Sequence, residues 1–211
     1  MSLPAALAAL RGARLVREII VVDGGSQDDT VAVARAAGAQ VVAAPRGRGP
    51  QLAAGAAAAS GEWLLFLHAD CRLEPGWEEA ARAFFATSLA AEQAGYFRLA
   101  LDDEAPGARR VERLAAWRCR RFGLPYGDQG LLIARAMYQR VGGFAPLPLM
   151  EDVDLVRRIG RRRLVPLAAR CLASARRYRR DGYWRRPLRN LLCLLLYFAG
   201  VAPRHIARLY G

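Results

Sequence analysis

Apolar residues in the first third of this chain fall into short unbroken runs, each stopping at a polar cluster. Trp63 to Leu67 ends at His68-Ala69-Asp70, and Ile19 to Val22 ends at Asp23-Gly24-Gly25-Ser26. Unbroken runs of this length, rich in β-branched and bulky residues, predict strands buried on both faces. Gln40 to Ala43 predicts a third strand. Helical spacing separates them: Leu3, Leu7 and Leu10 share one face of a helix over 3–11, Val31 to Ala34 follows a capping cluster at 26–30, and an Ala-rich stretch covers 51–59. Strand, helix, strand, helix, strand at this spacing predicts an α/β domain with a parallel sheet and right-handed crossovers.

Downstream the pattern predicts a helix over 76–90, then a strand over 96–101 at the sheet's edge or antiparallel. A basic amphipathic helix over 107–121 ends before Gly123, and Tyr126-Gly127-Asp128-Gln129 leads into the short strand Leu131 to Ile133. A helix over 134–141 stops at Gly142-Gly143, and a Pro-containing loop runs to Glu151-Asp152, which opens another helix. The tail differs in kind: Arg-rich residues 176–189 precede an apolar run over 191–201. The expected organisation is one domain over 1–170 and a basic, apolar helical extension over 171–211.

Charge sharpens that division. Residues 1–155 hold 17 Arg and 18 acids, whereas residues 156–211 hold 15 Arg and a single acid, Asp181. A cationic surplus confined to the last quarter points to a surface that meets anions, either nucleic acid or lipid headgroups. The longest apolar run, Leu191 to Val201, has 11 residues, short of the roughly 20 that cross a bilayer. The start carries no basic segment followed by an apolar one, so no signal peptide is expected. Cys71, Cys119, Cys171 and Cys193 lie far apart in no zinc-like spacing, and reduced, unpaired thiols are expected. The expected location is cytoplasmic, with the tail peripheral on the inner face of the cell membrane.

Carboxylates stand at the ends of the predicted elements: Asp23, Asp70 and Asp152. In a parallel sheet Asp23 and Asp70 emerge on one edge, where open α/β sheets collect ligands. Asp70 is placed to hold a divalent metal against a phosphate, and Arg46 and Arg48, in a Gly-rich turn, to reach phosphate oxygens bidentately. Acids at strand ends commonly cap the next helix, so it is the combination that points to chemistry.

In that order the motifs resemble family 2 glycosyltransferases, nucleotide-sugar-dependent inverting enzymes of the GT-A fold. Ile19 to Thr30 is similar to the family's VVDDGSxDxT segment, His68-Ala69-Asp70 stands where its metal-binding DxD stands, and Gly142-Gly143-Phe144 followed by Glu151-Asp152 resembles its GGF…ED acceptor segment. The motifs span roughly residues 15–160. The His-Ala-Asp and Gly-Asp-Gln-Gly pair resembles a small bacterial subfamily of the arsenosugar-biosynthesis, radical-SAM-associated type. The implied fold is a Rossmann-like, mostly parallel sheet flanked by helices. The resemblance places Asp23, Gly24, Ser26, Arg46, Arg48 and His68 against a nucleotide-sugar, with a UDP-sugar favoured. It makes Asp70 the ligand of Mg²⁺ or Mn²⁺, Asp152 the general base assisted by Glu151, and Asp128 and Gln129 the acceptor side. The implied acceptor is a small molecule or a lipid or carotenoid-like compound. Two departures stand out. The family's opening strand, with its Pro-Thr-Leu-Asn-Glu type turn, has no counterpart, so a gap in the nucleotide-binding half and a natural start upstream of Met1 are expected. His68 also replaces the first Asp of DxD.

Two other classes compete. A nucleic-acid-binding protein is favoured by charge alone; the chain lacks interleaved aromatic platforms, and no nucleic acid is expected. A catalytically impaired GT-A-like scaffold is favoured by His68 and the absent strand. Residues 176–201 read as an interfacial helix, with Arg at anionic headgroups and Leu in the acyl boundary.

Overall fold

A computed structural model of the chain describes residues 3–210. The chain opens with α1 (Leu3–Leu10), β1 (Ile20–Asp23), α2 (Thr30–Ala36), β2 (Gln40–Ala43), α3 (Arg48–Ala58) and β3 (Trp63–Phe66). It continues through β4 (Cys71–Leu73), α4 (Trp77–Phe85), β5 (Ala94–Leu101), α5 (Pro106–Phe122), β6 (Leu131–Ala134), α6 (Arg135–Arg140), α7 (Glu151–Ile159) and β7 (Leu164–Ala173). The tail forms α8 (Arg176–Asp181), α9 (Arg185–Phe198) and α10 (Pro203–Tyr210).

The strands form two sheets. β1 and β2 pair in parallel, Val21 opposite Val41, and stand apart from a five-stranded sheet ordered β3-β6-β5-β7-β4. In the larger sheet β5 pairs in parallel with β7, and the other pairings are antiparallel, so the α/β fold is mixed where a mostly parallel sheet was expected. The break falls between β1 and β3. Each of these strands is hydrogen-bonded along one edge, and the consecutive residues Ile19–Ser26 (except Gly25) and Gly61–Asp70 border one cavity of about 1150 Å³. Successive strand residues point to opposite faces, so a lining of consecutive residues is an open edge rather than a face. Glu18 ties the two halves at one end, its Oε1 accepting from the Ser60 N–H at 2.6 Å and the Gly61 N–H at 2.9 Å.

That break accounts for one correction. The runs expected to be buried on both faces are half-buried: no β1 residue is fully buried, and in β3 only Leu64 is. β5 goes the other way. Expected at an edge or antiparallel, it runs antiparallel to β6 but is a central strand with seven of eight residues buried, and Phe97 is sealed beneath α4 and α5. Its closeness to β7 also favours Gly95, where a Cβ would press on the Leu167 side chain.

Three further cores hold the flanks. Ile133, Met137, Leu155 and Ile159 join β6 to α6 and α7; Val153 and Val156 carry Cys193, Leu194 and Ile206 of the tail; Leu7, Ala34 and Ala39 cover the small sheet. The four cysteines are free and buried. β7 was not visible as a strand, and it carries the sheet to Ala173, past the expected boundary at 170. The tail is therefore stitched to the domain through α7, and none of the described helices is long and apolar enough to cross a membrane.

Candidate active site

The cavity has an apolar end along the open strand edges and a polar end where those strands stop. At the polar end it is bordered by Asp23, Gly24 and Ser26, by Arg48, by His68 and Asp70, and by Asp128 and Asp152. Local folding places each one. Asp23 ends β1, and its carboxylate accepts from the Gly25 N–H at 3.0 Å and the Ser26 N–H at 3.1 Å, folding the turn around itself. The Ser26 side chain first, and then these N–H bonds, hold the carboxylate below its ordinary pKa. Gly25 takes the left-handed backbone (φ 90°) that this turn needs.

Arg48 lies in the first turn of α3, which starts three residues earlier than the expected helix. Gly49 allows it: the Gly49 N–H donates to the Leu147 carbonyl at 3.0 Å, and a Cβ there would collide with the Ala145 carbonyl. α3 thus docks on the loop that carries Glu151 and Asp152. Gln51, in the next turn, donates to the Val22 carbonyl at 3.1 Å and fixes β1 against the same helix end.

Asp152 opens α7 behind Met150, the sole non-glycine residue with positive φ (67°) among the described residues. Strain of this kind is held where surrounding structure over-determines the backbone, and it recurs at functional sites. The Asp152 carboxylate accepts from the Gly127 N–H at 2.8 Å and from its neighbour Val153 N–H at 2.7 Å. The first bond joins α7 to the Gly127–Gln129 turn, and the His68 ring packs so closely on Gly127 that a Cβ would overlap it.

His68 is half-buried, and its Nε2 is sealed without a hydrogen-bond partner. Burial pulls its pKa well below the ordinary value and Arg48 adds to this, against the opposing charges of Asp152 and Asp70. The imidazole is therefore neutral at pH 7, with a lone pair to offer. Asp128 has its Oδ1 sealed and unpartnered; burial raises its pKa to about 6, with Asp152 and Asp70 adding to the rise and Arg118 opposing it.

Three candidates lie elsewhere. Arg46 is exposed and outside the cavity. Gln129 is buried and locks its own turn, donating to the Phe97 carbonyl at 3.0 Å and accepting from Arg118 at 3.0 Å; it positions Asp128 rather than facing an acceptor. Glu151 is fully buried beneath the cavity with both oxygens unpartnered, and burial, seconded by Asp152, raises its pKa. A carboxyl so placed stays protonated and touches no ligand. Conversely Gln51, Tyr126, Arg177, Arg186, Asn190 and Tyr210 also border the cavity. The last four belong to the tail, and their sequence signal was only an undifferentiated run of Arg and apolar residues.

Ligand atoms of His68, Asp70 and Cys71 lie within 4.8 Å of one another. Cys71 is buried, and its hydrogen bond to Cys171, together with burial, pushes its thiol up, so it offers no thiolate. The exposed Asp70 carboxylate and a neutral His68 nitrogen are the donors that remain: the carboxylate suits Mn²⁺ and Mg²⁺ alike, and the imidazole suits Mn²⁺ better than Mg²⁺.

Comparison with known proteins follows this geometry. Residues 2–98 match the family model described as Glycosyl transferase family 2. No curated protein matches the chain. Among solved structures, glucosyl-3-phosphoglycerate synthase from Mycobacterium tuberculosis, in complex with Mn²⁺, UDP and glucosyl-3-phosphoglycerate, is 21% identical with a TM-score of 0.58, covering 82% of this chain. The same enzyme with Mn²⁺, UDP-glucose and phosphoglyceric acid is 22% identical (TM-score 0.55, 78% of this chain), and with Mg²⁺ and UDP it is 20% identical (TM-score 0.56, 82%). The chain spans 64–65% of the length of these structures. Residues 2–98 thus match the glycosyl transferase family 2 model, and the chain has an α/β fold resembling the GT-A glycosyltransferase fold.

Proposed function

We propose that the protein transfers a sugar from a nucleotide-sugar, with UDP-sugar favoured, to an acceptor hydroxyl, with Mg²⁺ or Mn²⁺ held by Asp70 and His68. The observation that carries this is that Asp23, Asp70, His68 and Asp152 border one cavity, with His68 in the field of Asp70 and Asp152, within a fold shared with UDP-binding enzymes. The metal's contribution is charge: it offsets the negative charge that develops on the departing diphosphate. Asp23 and Ser26, at the end of β1, face the nucleoside.

Asp152 takes the acceptor proton. As the acceptor oxygen bonds to the anomeric carbon, the bond from that carbon to the diphosphate breaks and the nucleoside diphosphate leaves. Asp152 suits the task because the Gly127 N–H and its own helix hold its carboxylate in one orientation. A single displacement inverts the anomeric centre, as the resemblance implies, and the subfamily expected from the His-Ala-Asp and Gly-Asp-Gln-Gly pair belongs to this reading. Asp128, protonated below about pH 6, lies on the acceptor side.

A second element of the reading concerns location. Leu188, Leu191, Leu192, Leu195 and Phe198 form an exposed stripe along α9, and Arg185 is exposed on the same helix. An apolar helix face bordered by Arg fits the interface of an anionic membrane, with the acceptor delivered there.

The test is thermal shift with UDP in the presence and absence of Mn²⁺. A metal-dependent rise in Tm that Asp70→Ala removes is expected. UDP-sugar binding without metal, unaltered by that substitution, would refute the assignment.

A further inference from the structure

The tail gathers three guanidinium groups around one phenol. Tyr210, on α10, has Arg186 stacked 4.1 Å from its ring centroid, with Arg48 at 5.4 Å and Arg177 at 5.5 Å. Arg177 also donates to the Tyr210 hydroxyl at 3.2 Å. All four side chains border the cavity. Arg186 is 1% exposed; its Nη1 bonds Asp181 Oδ2 and the Tyr210 carbonyl, while its Nη2 is sealed with no partner. Asn190 presents a second sealed, unpartnered atom, its Oδ1, and borders the same space.

Like charges brought this close repel, and a ring face between them offsets only part of that. Arg186 is ion-paired with Asp181 at 3.2 Å, and Glu151 and Asp152 act on Arg48 from farther away, but among the described residues neither Arg48 nor Arg177 has a carboxylate within 4.0 Å. A phosphate or carboxylate would answer the surplus with charge-assisted, bidentate bonds. A divalent ion at Asp70 and His68 would take part of a donor's diphosphate charge, whereas the guanidinium cluster is built by other elements, α3 and the tail helices.

Resting on the glycosyl-transfer reading, we propose that Arg48, Arg177 and Arg186, arranged around Tyr210, form a site for the anionic group of a hydroxylated acceptor. The acceptor class is then a small phosphorylated or carboxylated alcohol. The Tyr210 hydroxyl holds the position that an anion oxygen takes on binding, and Asn190 Oδ1 accepts from a hydroxyl of the same ligand.

The test uses inorganic phosphate as probe in thermal-shift titrations, alone and with saturating UDP and Mg²⁺, on the full chain. Phosphate is expected to raise Tm in both arms. Arg177→Ala should weaken its apparent affinity at least tenfold while leaving the UDP response intact. Arg177 is exposed, so this variant folds, and Arg82→Ala, an exposed change on α4, should match the parent. Loss of the phosphate response at saturating UDP would assign the cluster to the donor diphosphate instead, and an undiminished response in Arg177→Ala would overturn the site. Absence of any UDP response would count against the transferase reading alone, because the phosphate arm without UDP stands by itself.

Discussion

Glu151 and Asp152 are adjacent in sequence and face opposite ways out of the first turn of α7. Asp152 borders the cavity, while Glu151 is sealed beneath it with no hydrogen-bond partner. Both were candidates for catalysis because a sequence shows a carboxylate but not the direction in which it points. For Asp152→Asn we expect turnover to fall about 10²- to 10⁴-fold, the usual contribution of a general base, with UDP affinity unchanged by calorimetry. Glu151 has a pH signature of its own. Its folded pKa lies above the unfolded value, so between the two the native state keeps a proton that the unfolded chain has released. Stability from this group is complete below the unfolded pKa and is lost as pH rises through the folded one. Glu151→Gln, neutral at every pH, should therefore melt above the parent at pH 8, and the difference should vanish near pH 4. An equal gap at both pH values would mean that Glu151 is ionised in the native state.

At the scale of elements, the α3 N-terminus is the joint that brings the two halves of the site together. Gly49→Ala places a methyl group against backbone rather than a yielding side chain. Overpacking of that kind costs about 1–3 kcal/mol, a fall of a few degrees in Tm at this size; an unchanged Tm would show that the loop gives way freely. α9 makes the opposite kind of contact. Its Cys193 and Leu194 are buried and its Leu191 and Leu195 are half-exposed or more, so Leu191→Glu with Leu195→Glu should leave Tm nearly unchanged and abolish flotation with anionic vesicles. Parent protein that stays off vesicles at low salt would remove the membrane element of the reading. Elements with an unbroken apolar run or clean helical period, such as β2, α5 and α7, were legible in the sequence. β4 has only three residues, and β7 alternates through Arg170 and carries Pro166, so neither offered a continuous run. The Asp23, Asp70 and Asp152 positions were legible because motif spacing encodes them. The ring of Arg around Tyr210 was not, since it joins residues from α3 and three tail helices that only the folded chain brings together.

For the molecule as a whole, stability is unevenly spread. The five-stranded sheet holds β6, buried throughout, and β5, buried at all but Arg98, whereas the β1–β2 pair rests on a small cluster around Leu7, Ala34 and Ala39. Local opening follows buried contact density. Backbone amides of Ile20 to Val22 should therefore exchange with solvent well before those of Leu131 to Ile133, and UDP should slow the former selectively. Equal protection of the two groups would mean that the small sheet opens only with the whole domain.

The open edges of β1 and β3 turn inward on the cavity rather than out to solvent. An exposed edge recruits strands from other chains, and a strand recruited to either of these two edges would have to enter the cavity. On the proposed reading, occupancy by a nucleotide and strand addition at β1 or β3 would exclude each other. A bound nucleotide would then double as a solubility factor: the empty protein, held warm and concentrated, should scatter light sooner than the same protein kept in UDP and metal.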